Sequence, residues 1–508
     1  MQKKLITTAI PYMNGVPHIG HALEVILTDV IARGHRLIDG KDSVFFLTGA
    51  DEHGSKIMKT AETAGRDVVD MLDENVRHFQ DMNTALSISN DGYIRTTDKE
   101  KHWPVVQALW MRLFEKGDIY KKNYAGWYCD REERFVTEEE LDENKCLKEN
   151  GAPTRWTEDE NYFFKLSKYS DTIKAALLAG GEHSAENPDG KSVRITPEFR
   201  QNEMIAMIGD GLEDVSFSRT KKQLTWGIPV PNDPEHVMYV WCDALTNYIS
   251  GVSTGNIEED FKNWNCELHV IGKDIARFHC LTWIGMLLSA GINLPKNILV
   301  HGFVNDKDGA KMSKSVGNVI DPHAMIAEYG SDTVRLYMTS EVGVGQDLNF
   351  SDDRIKSIHN DVLANNYGNL VNRVISLWIA HRDKGETIPV IPETSQAILD
   401  IMNDYKNMLG KWINTSRMFI DVDTILNMAN NMLNTTEPWK KSGEEKGKLL
   451  VEGIVYVYYA TLLLSPFIPE ATGKVMKAMG IKEGTELDDS ISIDLNTITK
   501  PDILFVKK

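Results

Sequence analysis

Apolar residues near the start of the chain follow two different spacings. Residues 5–10 form a largely apolar run, which predicts a buried strand. From Ile19 onwards the apolar positions recur every three or four residues, at Leu23, Ile26 and Val30, until Gly40. That spacing predicts a helix, with the glycine just beyond its end. A strand therefore leads through a short loop into a helix.

The same kind of pattern divides the whole chain into five parts. Strands alternate with helices in residues 1–113 and again in 226–302, which predicts one parallel sheet covered by helices. Residues 114–225 show short strands with few helices and predict an insertion, and residues 303–352 form a linking segment. In 353–508 nearly all apolar stripes have helical spacing. We expect an α/β fold with a Rossmann-like, doubly wound parallel sheet, an inserted domain and a following α-helical bundle.

Composition limits the classes of protein that this chain can belong to. Of its 508 residues 42% are hydrophobic and 26% are charged, as in soluble globular proteins. The formal net charge of −18 argues against a general nucleic-acid binder, which needs a basic surface. An apolar run at 449–468 approaches membrane-spanning length, but Glu452 and Pro466 interrupt it. We therefore expect a buried bundle helix there, no membrane contact and a cytoplasmic location, since the first strand begins too early for a leader.

The loop before the first helix carries the first candidate chemistry, at His18, Gly20 and His21. The free amides and the positive end of the dipole at a helix start favour phosphate groups. Imidazoles can donate hydrogen bonds to phosphate oxygens, and a glycine allows a nucleotide to approach closely. The histidines could equally cap the helix, and the residues alone do not separate the two interpretations.

A second candidate stretch contains two lysines, Lys311 and Lys314, on a loop that follows Gly309. Such a loop is often merely solvated, but here it could close over a polyphosphate. The two stretches together would surround ATP. The pair His-Ile-Gly-His (18–21) and Lys-Met-Ser-Lys-Ser (311–315) resembles the signature of class I aminoacyl-tRNA synthetases. Surrounding residues resemble the methionyl-tRNA synthetases in particular, at 8–15, 49–54, 160–164, 226–231, 239–244 and 271–275.

The resemblance runs from residue 5 to about residue 441 and implies a two-step reaction. Methionine and ATP would give methionyl-adenylate and pyrophosphate, and methionine would then pass to the 3′-terminal adenosine of elongator and initiator methionine tRNA. It implies that His18, His21, Lys311 and Lys314 are catalytic. The residues that bind ATP would be His18, Gly20, His21, Gly272, Asp274 and Lys314. Asp274 could instead cap a helix. Mg²⁺ suits polyphosphate chemistry, and we assign it no protein ligand.

The resemblance also implies a methionine pocket. Asp51 would bind the substrate ammonium, beside Ile10 and Tyr12. The thioether would lie among apolar and aromatic side chains, namely Trp241, Ala244, Leu245, Tyr248, Ile275, His279 and Trp283. Some relatives have proline at the position of Leu245. An aromatic stripe of this kind is, without the resemblance, more often part of a core.

In the helical bundle the resemblance assigns the anticodon to Asn369, Arg373 and Trp439. Splayed bases stack on aromatic rings and form hydrogen bonds through their edges. Without the resemblance, the arginine would be interpreted as solvated and the tryptophan as core. We find no further tRNA-binding or dimerisation module after the bundle, which favours a monomer.

The five cysteines, at 129, 146, 242, 266 and 280, are scattered, which fits a reducing compartment. Many relatives carry two Cys-x-x-Cys pairs in the insertion, whereas only Cys129 and Cys146 lie in that region here. We therefore expect no structural zinc and no other metal site.

Three other functions compete with this interpretation. A synthetase for leucine, isoleucine or valine would need a longer editing insertion, and a cysteine enzyme would be expected to use zinc thiolates. A small-molecule nucleotidyltransferase shares the histidine loop but lacks the helical domain. A catalytically inactive tRNA-binding protein would not need both signature stretches. Methionine-dependent exchange of pyrophosphate into ATP separates these functions.

Overall fold

The computed structural model describes residues 3–129, 131, 134–149, 151–181, 190–312, 318–341 and 343–508. Its strands are β1 (Lys4–Thr8), β2 (Val44–Ala50), β3 (Gly92–Arg95), β4 (Ile119–Cys129), β5 (Arg134–Val136), β6 (Arg155–Phe164), β7 (Arg194–Thr196), β8 (Val215–Ser216), β9 (Ser218–Thr220), β10 (Pro229–Val230), β11 (Asp233–Met238), β12 (Cys266–Gly272), β13 (Asn297–His301), β14 (Val304–Asn305) and β15 (Leu348–Asn349).

Helices account for most of the remaining ordered chain. They are α1 (Ile19–Asp39), α2 (Ser55–Ala64), α3 (Val68–Ala85), α4 (Trp103–Glu115), α5 (Ser170–Ala179), α6 (Glu198–Ile208), α7 (Val240–Leu245), α8 (Asn247–Ser250), α9 (Ile257–Asn263), α10 (Ile284–Ala290), α11 (Pro322–Tyr329), α12 (Ser331–Ser340), α13 (Asp352–Ser357), α14 (Asn369–Arg382), α15 (Gln396–Asn407), α16 (Thr415–Thr436), α17 (Gly443–Leu464) and α18 (Pro469–Met479). Three π-helical segments, Phe278–Trp283, Ile358–Gly368 and Met408–Trp412, adjoin α10, α14 and α15.

A six-stranded sheet in the order β3-β2-β1-β12-β13-β7 organises the catalytic part of the fold, and all of its pairings are parallel. The part of the sheet before the insertion meets the part after it where β1 pairs with β12, and Thr7 lies opposite His269 there. The strand order reverses between these two strands, so the crevice at their carboxyl ends is the expected ligand site of such a sheet. The predicted α/β fold class, with its parallel sheet and helical C-terminal region, is confirmed.

One strand of this sheet comes from the stretch that we predicted to be an insertion. β7 pairs with β13, and Thr196 lies opposite Leu299. The helices α5 and α6 lie in the same stretch, where the sequence pattern predicted few helices. Three residues are too few to show a periodicity, so the pattern did not predict a strand at this edge of the sheet.

The remaining strands of residues 114–225 form mainly a separate antiparallel sheet, β5-β4-β6-β8. Its outer end packs around a small apolar cluster of five residues, Cys129, Val136, Leu141, Leu147 and Ala152. Both cysteines of this region are free thiols. Within the described ranges, no three His, Cys, Asp or Glu side chains come together as metal ligands. Burial of the five apolar side chains stabilises this end of the sheet.

After β15 the described chain is almost entirely helical. In this bundle α17 packs mainly against α14 and α16. It is long and apolar enough to cross a membrane, with a mean hydropathy of 1.4, but 78% of its apolar window is buried inside the protein. The apolar run at 449–468 is thus the central helix of the bundle.

Close packing and one buried arginine join this bundle to the sheet. A Cβ atom at Gly34 of α1 would lie only 3.0 Å from Leu409, so the glycine lets α1 approach the bundle. The guanidinium of Arg335 on α12, fully buried, forms an ion pair with Asp29 of α1 at 2.7 Å. It also donates to the carbonyl oxygens of Pro466 and Phe467, at 2.7 and 2.9 Å, in the turn after α17. One side chain thus connects α1 to the bundle.

Arg335→Ala is predicted to destabilise the protein by about 3 kcal/mol, because it removes one of the two arginine partners of the buried Asp29 and leaves the carbonyl groups of Leu86, Pro466 and Phe467 without this donor. The change is measured as the shift of the urea unfolding transition. Arg354→Ala is the matched control, since the Arg354 side chain that pairs with Glu341 is 57% exposed and such a pair contributes about 1 kcal/mol or less. Equal shifts for the two variants would contradict this role for Arg335.

Candidate active site

Two imidazoles hold the start of α1, directly after β1. The Nδ1 atom of His18 accepts a hydrogen bond from the amide of Gly20, and Nδ1 of His21 accepts one from the amide of His18, both at 3.1 Å. The two rings stack with their centroids 3.7 Å apart. The helix-capping interpretation left open by the sequence is therefore correct, but capping uses only one nitrogen of each ring.

This capping determines the tautomer of each neutral ring. Because Nδ1 accepts a hydrogen bond in both His18 and His21, the proton of each neutral imidazole is on Nε2. Each ring therefore has an N–H donor besides the nitrogen that caps the helix. Capping and phosphate binding are compatible, since they use opposite nitrogens of the same ring.

A contact within the helix start also favours glycine at position 20. A Cβ atom at this position would lie 3.0 Å from Cε1 of His18, so a larger residue would crowd the capping ring. From the sequence, the expected role of this glycine is to allow the close approach of a nucleotide. In the structure it also makes room for the imidazole that caps the helix.

The second signature stretch begins on a turn fixed by one carboxylate. Asp306 accepts hydrogen bonds from the amide of Ala310 at 2.8 Å and from the side chain of Asn318 at 2.7 Å, so it ties together both sides of the loop. These hydrogen bonds lower the pKa of Asp306. The ammonium of Lys311 lies 4.5 Å from the ring centre of Phe303. Lys314 lies outside the described residues.

A backbone hydrogen bond joins the two signature stretches. The amide of Ile19, the first residue of α1, donates to the carbonyl of Ile320 at 3.1 Å. Ile320 follows the lysine loop and immediately precedes α11 and its capping residue Asp321. The base of the loop therefore lies at the same helix start as the two histidines, as surrounding one ATP requires.

The loop after β2 places Asp51 beside the first loop of the sheet. Tyr12 and Asp51 pair in a parallel bridge, and the amide of Met13 donates to the carbonyl of Asp51 at 2.9 Å. Asp51 is buried. Its neighbour Glu52 is fully buried and forms a bidentate pair with Arg95, with its shortest N–O distance 2.6 Å. The backbone of the predicted ammonium site is thus fixed on both sides.

The aromatic residues assigned to the thioether come together in space. The hydroxyl of Tyr248 donates to Nε2 of His279 at 2.7 Å, because Nδ1 of that ring is hydrogen-bonded to the carbonyl of Ile275 at 3.0 Å. The ring of Trp241 lies edge-on to His279, with centroids 6.0 Å apart, and Trp283 is the same distance from Tyr248. Burial lowers the pKa of His279 to about 4, so this ring is neutral at physiological pH.

The other residues of the predicted pocket lie on neighbouring backbone. Ala244 and Leu245 end α7, which begins one residue before Trp241. Ile10 and Tyr12 pack against the core cluster that contains Leu245, Tyr248 and Trp283. Leu245 and Trp283 are almost fully buried. The structure therefore gathers the predicted residues at one place, where some are also part of the core.

The predicted ribose residues lie at the carboxyl end of β12. Gly272 takes the capping position, and Asp274 lies inside the short 3₁₀ turn Lys273–Ile275 that follows, so Asp274 is not the helix cap. A Cβ atom at Gly272 would lie 2.8 Å from a carboxylate oxygen of Asp274. The absence of a side chain at Gly272 thus leaves room for the carboxylate.

The sequence analysis missed an ionisable pair at this end of the sheet. Glu24 of α1 lies 3.0 Å from Nε2 of His301, the last residue of β13. Burial raises the pKa of Glu24, and the hydrogen bond that protonated His301 donates to Glu24 raises the pKa of His301 despite its burial. A signal was present, since Glu24 is four residues after Gly20 and therefore on the same face of α1.

An open cleft lies between this site and the antiparallel sheet. Its described lining combines the start of α2 at Gly54 with Tyr239 and Val240 beside α7, and with two arginines of the insertion, Arg155 and Arg219. The guanidinium of Arg219 lies 4.5 Å from the ring centre of Tyr239. Two guanidinium groups therefore line this cleft, which adjoins the predicted amino-acid site.

The three residues assigned to the anticodon lie close together on the bundle. Asn369 and Arg373 are one turn apart on α14, and Trp439 lies in the 3₁₀ turn Pro438–Lys440. The guanidinium of Arg373 is 5.2 Å from the ring centre of Trp439, which is 42% exposed. The tryptophan is therefore available at the surface, and the alternative that it is a core residue is wrong.

Comparisons with known proteins agree with this geometry. The family model described as "tRNA synthetases class I (M)" matches residues 4–150 and 136–375. The chain is 41% identical to the methionine–tRNA ligase of Mycobacterium bovis over 496 residues, which are 94% of this chain and 92% of that protein. The chain belongs to the methionyl-tRNA synthetases. The methionine–tRNA ligase of Rhizobium meliloti is 40% identical over 491 residues, covering 94% and 91% of the two chains.

Solved structures of this family have the same fold. The Mycobacterium tuberculosis methionyl-tRNA synthetase in complex with methionyl-adenylate superimposes with a TM-score of 0.83, at 39% identity and over 95% of both chains. The apo form of that protein gives a TM-score of 0.80, at 34% identity, covering 100% of this chain and 98% of that one. Membership of the family rules out the competing small-molecule nucleotidyltransferase and the other amino-acid specificities.

His279 is expected to make the protein sensitive to acid. Its pKa is about 4 in the folded chain against an ordinary 6.5, so the unfolded chain takes up the proton first and stability falls as the pH drops from 6.5 towards 4. At pH 5 the loss due to this residue is about 2 kcal/mol. His279→Gln should therefore lose less stability than the wild type between pH 7 and pH 5, measured by urea unfolding. Equal losses of stability in the two proteins would contradict the assignment of this acid sensitivity to His279.

Proposed function

We propose that this chain joins methionine to ATP and then to methionine tRNA, with the side chains described above in the roles that follow. Membership of the methionyl-tRNA synthetases carries this proposal. The contact between Ile19 and Ile320 supports it, because it holds the two signature stretches at one helix start.

In the first step a carboxylate oxygen of methionine forms a bond to the α-phosphorus of ATP while the bond to pyrophosphate breaks. No side chain becomes covalently attached, so the protein acts by positioning the reactants and by stabilising charge on the phosphate oxygens. The Nε2–H groups of His18 and His21 donate to these oxygens. Because their Nδ1 atoms are held by backbone amides, the rings need no reorientation before they donate.

The lysine loop neutralises the leaving pyrophosphate. Lys314 contacts the developing charge, and Lys311 supports the loop from its place on the ring of Phe303. Gly272 and Asp274 bind the ribose of ATP. Bound together with ATP, a Mg²⁺ ion would supply charge neutralisation at the phosphate oxygens, as it commonly does in sites that transfer phosphoryl or nucleotidyl groups. No step here depends on a protein ligand of that ion.

The amino-acid site holds methionine at both ends. Asp51 forms a charge-assisted pair with the ammonium group. The thioether lies against Trp241, Tyr248 and His279. The neutral ring of His279 suits an uncharged, polarisable sulfur, since an imidazolium in this buried position would need a counter-charge.

In the second step the 3′-terminal adenosine of tRNA attacks the activated carbonyl and AMP leaves. The cleft beside Arg155 and Arg219 is the route by which the acceptor end reaches that carbonyl, because it adjoins α7 and carries cationic groups. Asn369, Arg373 and Trp439 bind the anticodon of both elongator and initiator tRNA. The enzyme acts as a cytoplasmic monomer.

The activity is tested by the exchange of pyrophosphate into ATP, measured with each of the twenty amino acids in turn, and by charging of bulk tRNA. Only methionine is expected to support exchange. His21→Ala and Lys314→Ala are each expected to slow exchange by about 100- to 1,000-fold, because each removes a preorganised group at the phosphates. His78→Ala, a half-exposed histidine outside the site, is the matched control and should retain wild-type exchange. Near-normal exchange in both site variants would contradict the roles of these residues.

Trp439→Ala is expected to lower kcat/KM for tRNA by about 10- to 100-fold without changing exchange, because one stacked base contributes about 1–3 kcal/mol. Trp412→Ala is the matched control. Trp412 lies in the same bundle and also has a neighbouring arginine, but that residue, Arg194, belongs to β7 of the sheet, and its guanidinium lies 5.6 Å from the ring centre of Trp412. Equal effects on charging in the two variants would contradict an anticodon role for Trp439.

A further inference from the structure

A buried chain of hydrogen bonds lies behind the predicted ammonium site. Nδ1 of His53 is 2.6 Å from one oxygen of Asp243, and Nε2 of His102 is 2.7 Å from the other. Nδ1 of His102 is in turn 2.7 Å from the hydroxyl of Ser250. All four side chains are almost fully inaccessible to solvent. They come from four separate places in the sequence.

The hydrogen bonds determine which atoms carry protons. A carboxylate only accepts, so Nδ1–H of His53 and Nε2–H of His102 both donate to Asp243. In its neutral form His102 then has an unprotonated Nδ1, which accepts from the hydroxyl of Ser250. Burial alone would raise the pKa of Asp243, but attraction to His53 and the two hydrogen bonds hold it below its ordinary value. The carboxylate is therefore ionised and fully paired.

His53 belongs to the same short loop as Asp51. Its amide lies 3.4 Å from Oδ1 of Asp51, a long but direct contact between the two residues. Its ring packs between two tryptophans, with centroids 5.7 Å from Trp226 and 6.0 Å from Trp103. The indole of Trp226 also donates to the carbonyl of Glu52 at 2.6 Å. A displacement of the His53 ring would therefore move the backbone that carries Asp51.

Asp243 belongs to the other half of the amino-acid site. It lies on α7, two residues after Trp241 and directly before Ala244. Its bond to His53 thus connects the loop that would hold the ammonium to the helix that forms one wall of the thioether pocket. The distance between these two parts determines which length of amino acid fits between them.

We propose that Asp243, acting through His53, is a positioning residue that holds Asp51 in place for the ammonium group of the substrate. This inference rests on the proposed function, since it concerns how methionine is bound. Asp243 and His53 do not touch the reacting atoms. They fix the geometry of the carboxylate that does the binding.

The first experiment separates methionine binding from ATP binding in the exchange reaction, with rates normalised to the active fraction. Asp243→Asn and His53→Leu should raise KM for methionine by about 10- to 100-fold and leave KM for ATP within about twofold. His53→Asn should stay within about threefold of wild type, because its amide N–H replaces the Nδ1 donor. If Asp243→Asn does not fold, the comparison of His53→Leu with His53→Asn decides the question.

A buried histidine elsewhere provides the matched control. His359 is equally enclosed in the bundle and forms hydrogen bonds with Thr333 at 2.8 Å and with the carbonyl of Val506, also at 2.8 Å. His359→Leu should lower the thermal midpoint without changing KM for methionine. If Asp243 had only a structural role, its variants would behave in the same way.

The second experiment identifies the substrate group involved. Methioninol has the ammonium but no carboxylate, and 4-(methylthio)butanoate has the carboxylate but no ammonium. Asp243→Asn should weaken inhibition by methioninol about tenfold or more and leave inhibition by 4-(methylthio)butanoate unchanged. Equal losses for both inhibitors, or an unchanged KM for methionine in Asp243→Asn and His53→Leu, would overturn the inference. A wild-type protein without methionine-dependent exchange would instead refute the proposed function.

Discussion

The amides at the start of α1 depend on two imidazoles for their hydrogen bonds, and the rest of the site depends on that arrangement. A helix start leaves several N–H groups without partners, and most helices use a serine, threonine or aspartate there. Here His18 and His21 perform the same task through Nδ1. Their second nitrogen remains a donor of fixed tautomer. The same backbone start also holds Ile320, so helix capping and loop attachment have one structural origin, at the place where phosphate binding is proposed.

Local sequence patterns were sufficient to predict the strands and helices whose own residues show a clear apolar periodicity. The strand β1, the helix α1 and its end at Gly40 followed from apolar spacing and one glycine. The strand β7 could not be predicted in this way, because a three-residue strand is defined by its pairing with β13 rather than by a pattern in its own residues. Strand order in a sheet is a property of distant pairs, which a local pattern does not contain.

In the predicted site, too, some residues could be named from the local sequence and others depend on contacts between distant parts of the chain. Residues within a recognisable stretch, such as Asp51 and Trp241, could be named from the sequence. The pairs Glu24–His301 and His53–Asp243 could not, since the partners in each pair lie on different elements and acquire a role only through contact. His53 and Asp243 both belong to stretches that carry the family resemblance, yet only the structure shows that they bind each other. Spacing predicts which face a residue occupies, but not what lies opposite it.

The strongly acidic charge of the chain and its RNA substrate are compatible because the cationic groups act locally. Arg373 lies against the exposed Trp439, while many other basic side chains are paired with carboxylates, as Arg95 is with Glu52. A chain with a formal net charge of −18 attracts nucleic acid weakly at long range. Binding then depends more on correct local contacts, which favours discrimination among RNAs over general affinity.

The glycine at position 34 has a consequence for this discrimination. A tRNA molecule has a fixed span between its anticodon and its 3′ end, so an enzyme that touches both must keep two remote surfaces at a matching separation. Gly34 brings α1 so close to Leu409 that an added methyl group would lie only 3.0 Å from the leucine side chain. A residue outside the predicted site thus helps to fix the separation between the predicted ATP site and the predicted anticodon residues.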